Sequence, residues 1–217
     1  MLRLKLLEAG LIAGAVSFSA SYGYAEEFSA RLSGFNEIGS IPTTVTVTAL
    51  GTPAPTSYTG AVLSNGSGTV TLDLDRSAGT IAYTLTYKNV GVTPPRTGTV
   101  LFAHIHLGKS RDSGGILVFF CTNQSSFTGT VPTPPSCNTD SSGSGTVSGV
   151  WQAANVQAIP GQNVQAGDFD ALVDALTSNT AYANIHTTSG TTPDTGFPGG
   201  EIRGQCHSED REHRENR

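Results

Sequence analysis

The sequence predicts an all-β fold, an antiparallel β-sandwich or barrel of about nine short strands with one short helix. Three observations point there. Apolar and polar residues alternate with a period of two in run after run, as half-buried strands require. Thr and Ser number 28 and 22 of 217 residues, whereas charged residues make up only 13%, against a usual share of roughly 25%. Gly, Pro and Asn punctuate the runs at the intervals of an antiparallel architecture.

The elements follow in chain order. Residues Met1 to Ala25 read as a signal peptide: Arg3 and Lys5 precede an apolar run from Ala9 to Phe18 broken by Ser17, and small residues lead to a cleavage point near Ala25. Glu8 departs from that pattern. The expectation is a secreted protein, periplasmic or extracellular, whose domain spans residues 26–206. Beyond this leader no apolar run reaches the roughly 18 residues of a spanning helix, so no membrane span is expected in the mature chain.

Phe28 to Leu32 is the first predicted strand. Thr43 to Leu50 is the second, with Val45, Val47 and Ala49 on one face and threonines on the other. Asn65-Gly66 is a hairpin-turn signal before Thr69 to Leu74. Thr80 to Tyr87 and Thr99 to Leu107 flank a Pro94-Pro95 loop; Ile116 to Cys121, Gly145 to Trp151, Ala181 to Thr187 and Glu201 to Cys206 complete the set. Phe169, Leu172, Val173 and Leu176 fall at i, i+3, i+4 and i+7 behind Asp168, which predicts a capped amphipathic helix over Asp168 to Ser178. Its acids Asp170 and Asp174 belong to the solvated face, and its role is to cover an open end of the sheet structure. His207 to Arg217 holds charges of both signs and no apolar residue, so a disordered charged tail is expected over 207–217.

Composition also limits function. A net charge of −5 argues against a polycationic nucleic-acid binder. No phosphate-binding glycine loop, nucleophile elbow or paired-cysteine zinc motif occurs. Cys121 and Cys137 flank a loop rich in Ser, Thr and Pro with no apolar periodicity to hold it, and a disulfide between them is expected in an exported protein. Cys206 alternates with Ile202 and Gly204 on the apolar side of the last run and reads as a buried thiol.

The most informative run is Val100 to Leu107. Leu101, Ala103, Ile105 and Leu107 form one apolar face, which leaves His104 and His106 together on the other. Their Cα atoms lie about 6.5 to 7 Å apart along a strand, so both rings can lean onto one metal ion. In Tyr182 to Thr187, Ala183 and Ile185 face the core and Asn184 and His186 the other way. In Glu201 to Cys206 the outward set is Glu201, Arg203 and Gln205. If these strands are neighbours, His104, His106 and His186, with Glu201 or water, make a copper or zinc site. The same histidines are equally accounted for by hydrogen bonds to carboxylates and carbonyls on a sheet surface. Arg203 has two readings as well, pairing with Glu201 or binding an anionic group.

These residues resemble the CHRD domain, a family named after chordin and widespread in exported bacterial proteins. The resemblance rests on Phe28 to Gly34 with Glu37 and Pro42, on Ala103-His104-Ile105-His106-Leu107-Gly108, and on Tyr182 to Thr187 followed by Pro198-Gly199-Gly200-Glu201-Ile202-Arg203-Gly204-Gln205. It implies an extracellular or cell-surface β-sandwich with no established enzyme activity, and it carries over no catalytic residue. The stretch between Pro42 and Gly68 and the segment Thr188 to Gly196 are longer than the family pattern. A His-x-His strand is also similar to the copper/zinc superoxide dismutases, which use more histidines and an aspartate than this chain places.

The leading expectation is a secreted, non-catalytic CHRD-type binding module with a histidine-based copper or zinc site. One alternative is a metal-free structural or adhesive module that contacts an extracellular or envelope protein through its Thr-rich faces and long loops. The last is a copper-dependent oxidoreductase, for which no nucleophile with a base and no close carboxylate pair is found.

Overall fold

The computed structural model describes residues 26–38, 40–42, 57–94, 97–125, 127, 131–188 and 196–209. The predicted signal peptide, the predicted strand Thr43 to Leu50 and residues 210–217 lie outside the described residues. Strands are β1 (Glu26–Ser33), β2 (Ser40–Pro42), β3 (Ser57–Thr59), β4 (Ser67–Asp75), β5 (Thr80–Lys88), β6 (Thr99–Leu107), β7 (Ile116–Thr122), β8 (Gly145–Trp151), β9 (Ala181–Thr188), β10 (Ile202–Gln205) and β11 (His207–Ser208). Among the described residues, Phe169–Thr177 forms an α-helix, α1.

Nine strands form one antiparallel sheet in the order β7-β6-β9-β10-β1-β4-β5-β8, with β11 beside β1, and β2-β3 forms a separate ribbon. The sheet curls until its two end strands meet. Trp151 on β8 donates its indole N–H to the Phe119 carbonyl of β7 at 2.9 Å, and the Tyr83 hydroxyl donates to the Phe120 carbonyl at 3.2 Å. The nearly closed barrel encloses the inward residues of each alternating run, among them Leu72, Leu85, Ile105, Phe120 and Ile185. Tyr83, Phe120 and Trp151 pack as an aromatic group at the seam, with Tyr83 stacked on Trp151 at 4.3 Å between centroids.

The helix forms where the period changes. Asp168 caps it by accepting the Ala171 N–H at 3.0 Å, which satisfies one of the orphan donors of the first turn. Leu172, Val173, Ala175 and Leu176 are buried and join the barrel core, while Asp170 and Asp174 are exposed. Cys121 and Cys137 are joined by a disulfide across the Pro-rich loop. Cys206 is free and buried, and desolvation pushes its thiol up to about 12.

Two local expectations are corrected. Asn65-Gly66 makes no hairpin, because β4 pairs with β1 and β5 rather than with β3. Neither residue has the positive φ that a two-residue hairpin loop needs. The segment instead bends around Ser64, whose hydroxyl accepts the Gly66 N–H, while Asn65 N–H donates to Thr93 Oγ1. The expected tail also begins too early: His207 and Ser208 pair with Ser29 and Phe28, extending the β10 side of β1 after the break at Cys206.

Candidate metal centre

The barrel places β6 between β7 and β9, so the polar faces of β6 and β9 adjoin. In register, Phe102 opposes His186, His104 opposes Asn184 and His106 opposes Tyr182. His104 and His186 are therefore diagonal neighbours, a distance that ring side chains span. Pairing of β6 with β7 slips between Ala103 and His104 and again between Ile105 and His106. Such bulges re-aim side chains on the affected strand.

The three imidazoles converge. Ring centroids of His104 and His106 are 4.3 Å apart, those of His104 and His186 4.7 Å, and those of His106 and His186 6.5 Å. One nitrogen from each ring lies within 4.8 Å of the other two. Three nitrogens around a single ion at about 2.0 Å stand about 3.5 Å apart in a trigonal plane, so closing of at most about 1.3 Å brings all three into a common shell.

Hydrogen bonding fixes which nitrogens point inward. His106 Nδ1 lies 2.7 Å from the Gly114 carbonyl and His186 Nδ1 2.8 Å from the Pro198 carbonyl. A carbonyl only accepts, so each Nδ1 carries the proton and each Nε2 keeps a free lone pair. His186 Nε2 and His104 Nδ1 are buried without a hydrogen-bond partner. A buried polar atom left unpaired costs about 1–3 kcal/mol. Orientation of a ring through its far nitrogen by a backbone carbonyl is the usual support of a metal-ligating histidine.

The surroundings are apolar. Phe102 packs against His104 and His186 at 5.1 and 4.7 Å, Phe119 against His104 at 5.3 Å, and Tyr182 stacks on His106 at 4.6 Å. Desolvation therefore dominates the titration of the cluster. His104 is held well below the ordinary histidine range by burial and by its two neighbouring rings, and His106 and His186 are brought down to about 4, chiefly by burial. All three rings are neutral at pH 7, the form a metal ligand must have.

Glu201 does not join the histidines. It is fully buried, and its carboxylate accepts from Ser64 Oγ at 2.7 Å, Thr187 Oγ1 at 2.8 Å and the Gly91 N–H at 3.0 Å. Thr187 alternates with His186 along β9, so this carboxylate lies on the opposite side of the strand. The expected alternation fails because Glu201 precedes β10 in a bend after Gly200, whose φ is +121°.

Arg203 does not pair with Glu201, whose carboxylate is taken by Ser64, Thr187 and Gly91. Its Nη2 donates to the carbonyls of Lys109 and Asp112 at 2.8 and 2.9 Å, and its guanidinium lies 3.3 Å from the Tyr182 ring centroid. Asn184 sits between His104 and Arg203 in the cross-strand row and donates to the Glu37 carboxylate and the Ile202 carbonyl. An open cleft of about 880 Å³ is lined by Arg203 together with Arg31, Phe35, Glu37 and Arg111, and by none of the three histidines.

Phe102 and Tyr182 belong to the site although the sequence reading did not single them out. Strand parity was signal enough: each lies two or four residues from a site histidine on the same face. The Gly114 and Pro198 carbonyls left no such trace, since their role depends on how loops fold back.

A model of the CHRD domain family matches residues 28–206 of the chain. No curated protein matches it.

Proposed function

The chain belongs to the CHRD domain family, and from that premise we propose that it is a secreted, non-catalytic binding module that holds copper or zinc on His104, His106 and His186. The observation that carries this reading is the convergence of three rings, each with a ligand nitrogen within 4.8 Å of the others, while His104 and His186 each bury a nitrogen that has no hydrogen-bond partner. Carbonyl bonds at the outer nitrogens of His106 and His186 preset the rings, so little ordering entropy is lost when an ion binds. The apolar wall of Phe102, Phe119 and Tyr182 strengthens each ion–nitrogen contact by excluding water.

Export is part of the same proposal. The leader-like residues Met1 to Ala25 and the Cys121–Cys137 disulfide both suit an oxidising compartment. Among the described residues, no helix is long and apolar enough to cross a membrane.

Calorimetric titration of the purified chain with copper and with zinc tests the metal claim. Binding tighter than about 10 μM, a free energy of about 7 kcal/mol, abolished by His104→Ala/His106→Ala, is the expected result. Weaker binding, or binding that survives the double substitution, refutes it.

A further inference from the structure

The site offers nitrogen and no compensating charge. Its three donors are neutral imidazoles, and among the described residues no carboxylate or thiolate joins their group. Glu201 is committed to Ser64, Thr187 and Gly91 across the strand, and Glu37 accepts from Asn184. A cation stands close by: the Arg203 guanidinium lies 3.3 Å from the centroid of the Tyr182 ring, which stacks on His106 at 4.6 Å. Burial is close to complete at two rings, with His104 1% and His186 9% exposed.

We infer that the site selects a monovalent cuprous ion, held by three nitrogens, over zinc and other divalent ions. The inference rests on the three-histidine reading above and narrows it to one ion. Charging cost in a poorly polarisable surround grows with the square of the charge, so a divalent ion costs about four times as much as a monovalent one of the same size. The burial of His104 and His186 against Phe102 and Phe119, with a guanidinium nearby, gives that difference its sign here. Coordination number points the same way. Zinc completes its tetrahedral shell with a fourth protein ligand or, in three-histidine sites, with water; here the chain supplies three nitrogens, Glu201 is turned away, and His104 and His186 are buried from water. A filled-shell cuprous ion is stable with three nitrogen donors and asks for neither a fourth ligand nor an anion. Imidazole nitrogen is a ligand that copper accepts readily.

Parallel competition titrations of the full chain test this, cuprous ion under anaerobic conditions against a chromogenic cuprous chelator and zinc against a fluorescent indicator. The expected result is a cuprous Kd at least a thousandfold below the zinc Kd, with a three-nitrogen shell in X-ray absorption of the copper form. His106→Gln, at the most exposed of the three rings, should weaken cuprous binding at least a hundredfold while circular dichroism stays native. Phe102→Glu, which sets a carboxylate beside His104 and His186, should shift the zinc-to-copper affinity ratio toward zinc by at least tenfold. Zinc binding as tight as cuprous binding, with both lost in His106→Gln, overturns the cuprous inference and leaves the three-histidine site standing. Failure of both ions to bind more tightly than about 10 μM overturns the site itself. A ratio unmoved by Phe102→Glu overturns the charge argument.

Discussion

Glu201→Gln separates a structural carboxylate from a metal ligand. In the native chain Oε1 accepts from Ser64 and Oε2 from Thr187, and the Gly91 N–H is shared between them at 3.0 Å to each. The amide keeps the shape but removes one acceptor and all the negative charge. The group facing Thr187 or Ser64 becomes a donor, and Thr187 Oγ1 already accepts the Phe197 N–H at 2.9 Å. Hydrogen bonds to a charged acceptor contribute about 1.5–3 kcal/mol each against about 1 for neutral ones, so the exchange costs on the order of 2 kcal/mol. For a domain of this size that lowers Tm by about 4–8 °C at roughly 2–4 °C per kcal/mol. The assay is a circular dichroism melt of metal-free protein at pH 7, followed by zinc and copper titration at a temperature where both forms are folded. Metal affinity should stay within about twofold, because the carboxylate lies across the strand from His186. An unchanged Tm refutes the view of Glu201 as a tie between loops, and a tenfold or greater loss of affinity in the folded variant refutes its exclusion from the site.

Two further outcomes follow from burial and chain closure. His106 and His186 titrate near 6.5 when unfolded and at about 4 when folded, so between these values the unfolded chain binds more protons and stability rises with pH. Each group accounts for up to about 3 kcal/mol, less than additive because the rings interact. The urea midpoint of the metal-free protein should therefore fall steadily from pH 6.5 to pH 4 and be flat above pH 7 as far as these groups decide it; a midpoint constant across pH 4–6.5 refutes neutral burial of the cluster. Reduction of Cys121–Cys137, which spans 16 residues, should cost about 3 kcal/mol, read as a lower urea midpoint with thiol-blocked protein. A loss under about 1 kcal/mol would mean that the Pro-rich loop is held by Tyr87 and Asn123 contacts instead.

Much of the barrel is readable from alternation alone, because each strand has one buried face and a slip of one residue would expose it. Eight of the predicted runs appear as β1 and β4 to β10 within a residue or two, and the period change at Phe169 marks the helix. Alternation assigns faces without assigning neighbours. The adjacency of β6 and β9, on which His186 depends, comes from the sheet order and joins segments about 80 residues apart. Short-range signals misled at two places where a bend precedes a strand. Asn65-Gly66 turns the chain toward Thr93 rather than closing a hairpin, and Glu201 sits one residue outside the alternation that would have turned it toward the histidines. Arg203 has the right face but a reach that pattern cannot express, to carbonyls some 90 residues away.

The segment from Pro198 to Gln205 organises both halves of the histidine cluster. Pro198 supplies the carbonyl that orients His186. Gly200 lets the chain turn where any Cβ would collide with the Glu37 carboxylate, and its positive φ suits glycine. Glu201 then ties that turn to Ser64, Gly91 and Thr187. Arg203 holds the 108–114 loop through Lys109 and Asp112 and stacks on Tyr182, which itself accepts the Gly114 N–H at 3.2 Å and flanks His106. The Gly114 carbonyl is the group that orients His106. One eight-residue stretch thus positions the supports of two rings on two strands, and neither glutamate nor arginine in it touches the cluster. Substitution of Arg203, which holds the loop that orients His106, should disturb that ring before it disturbs the barrel, since the core packs against Ile202 and Cys206.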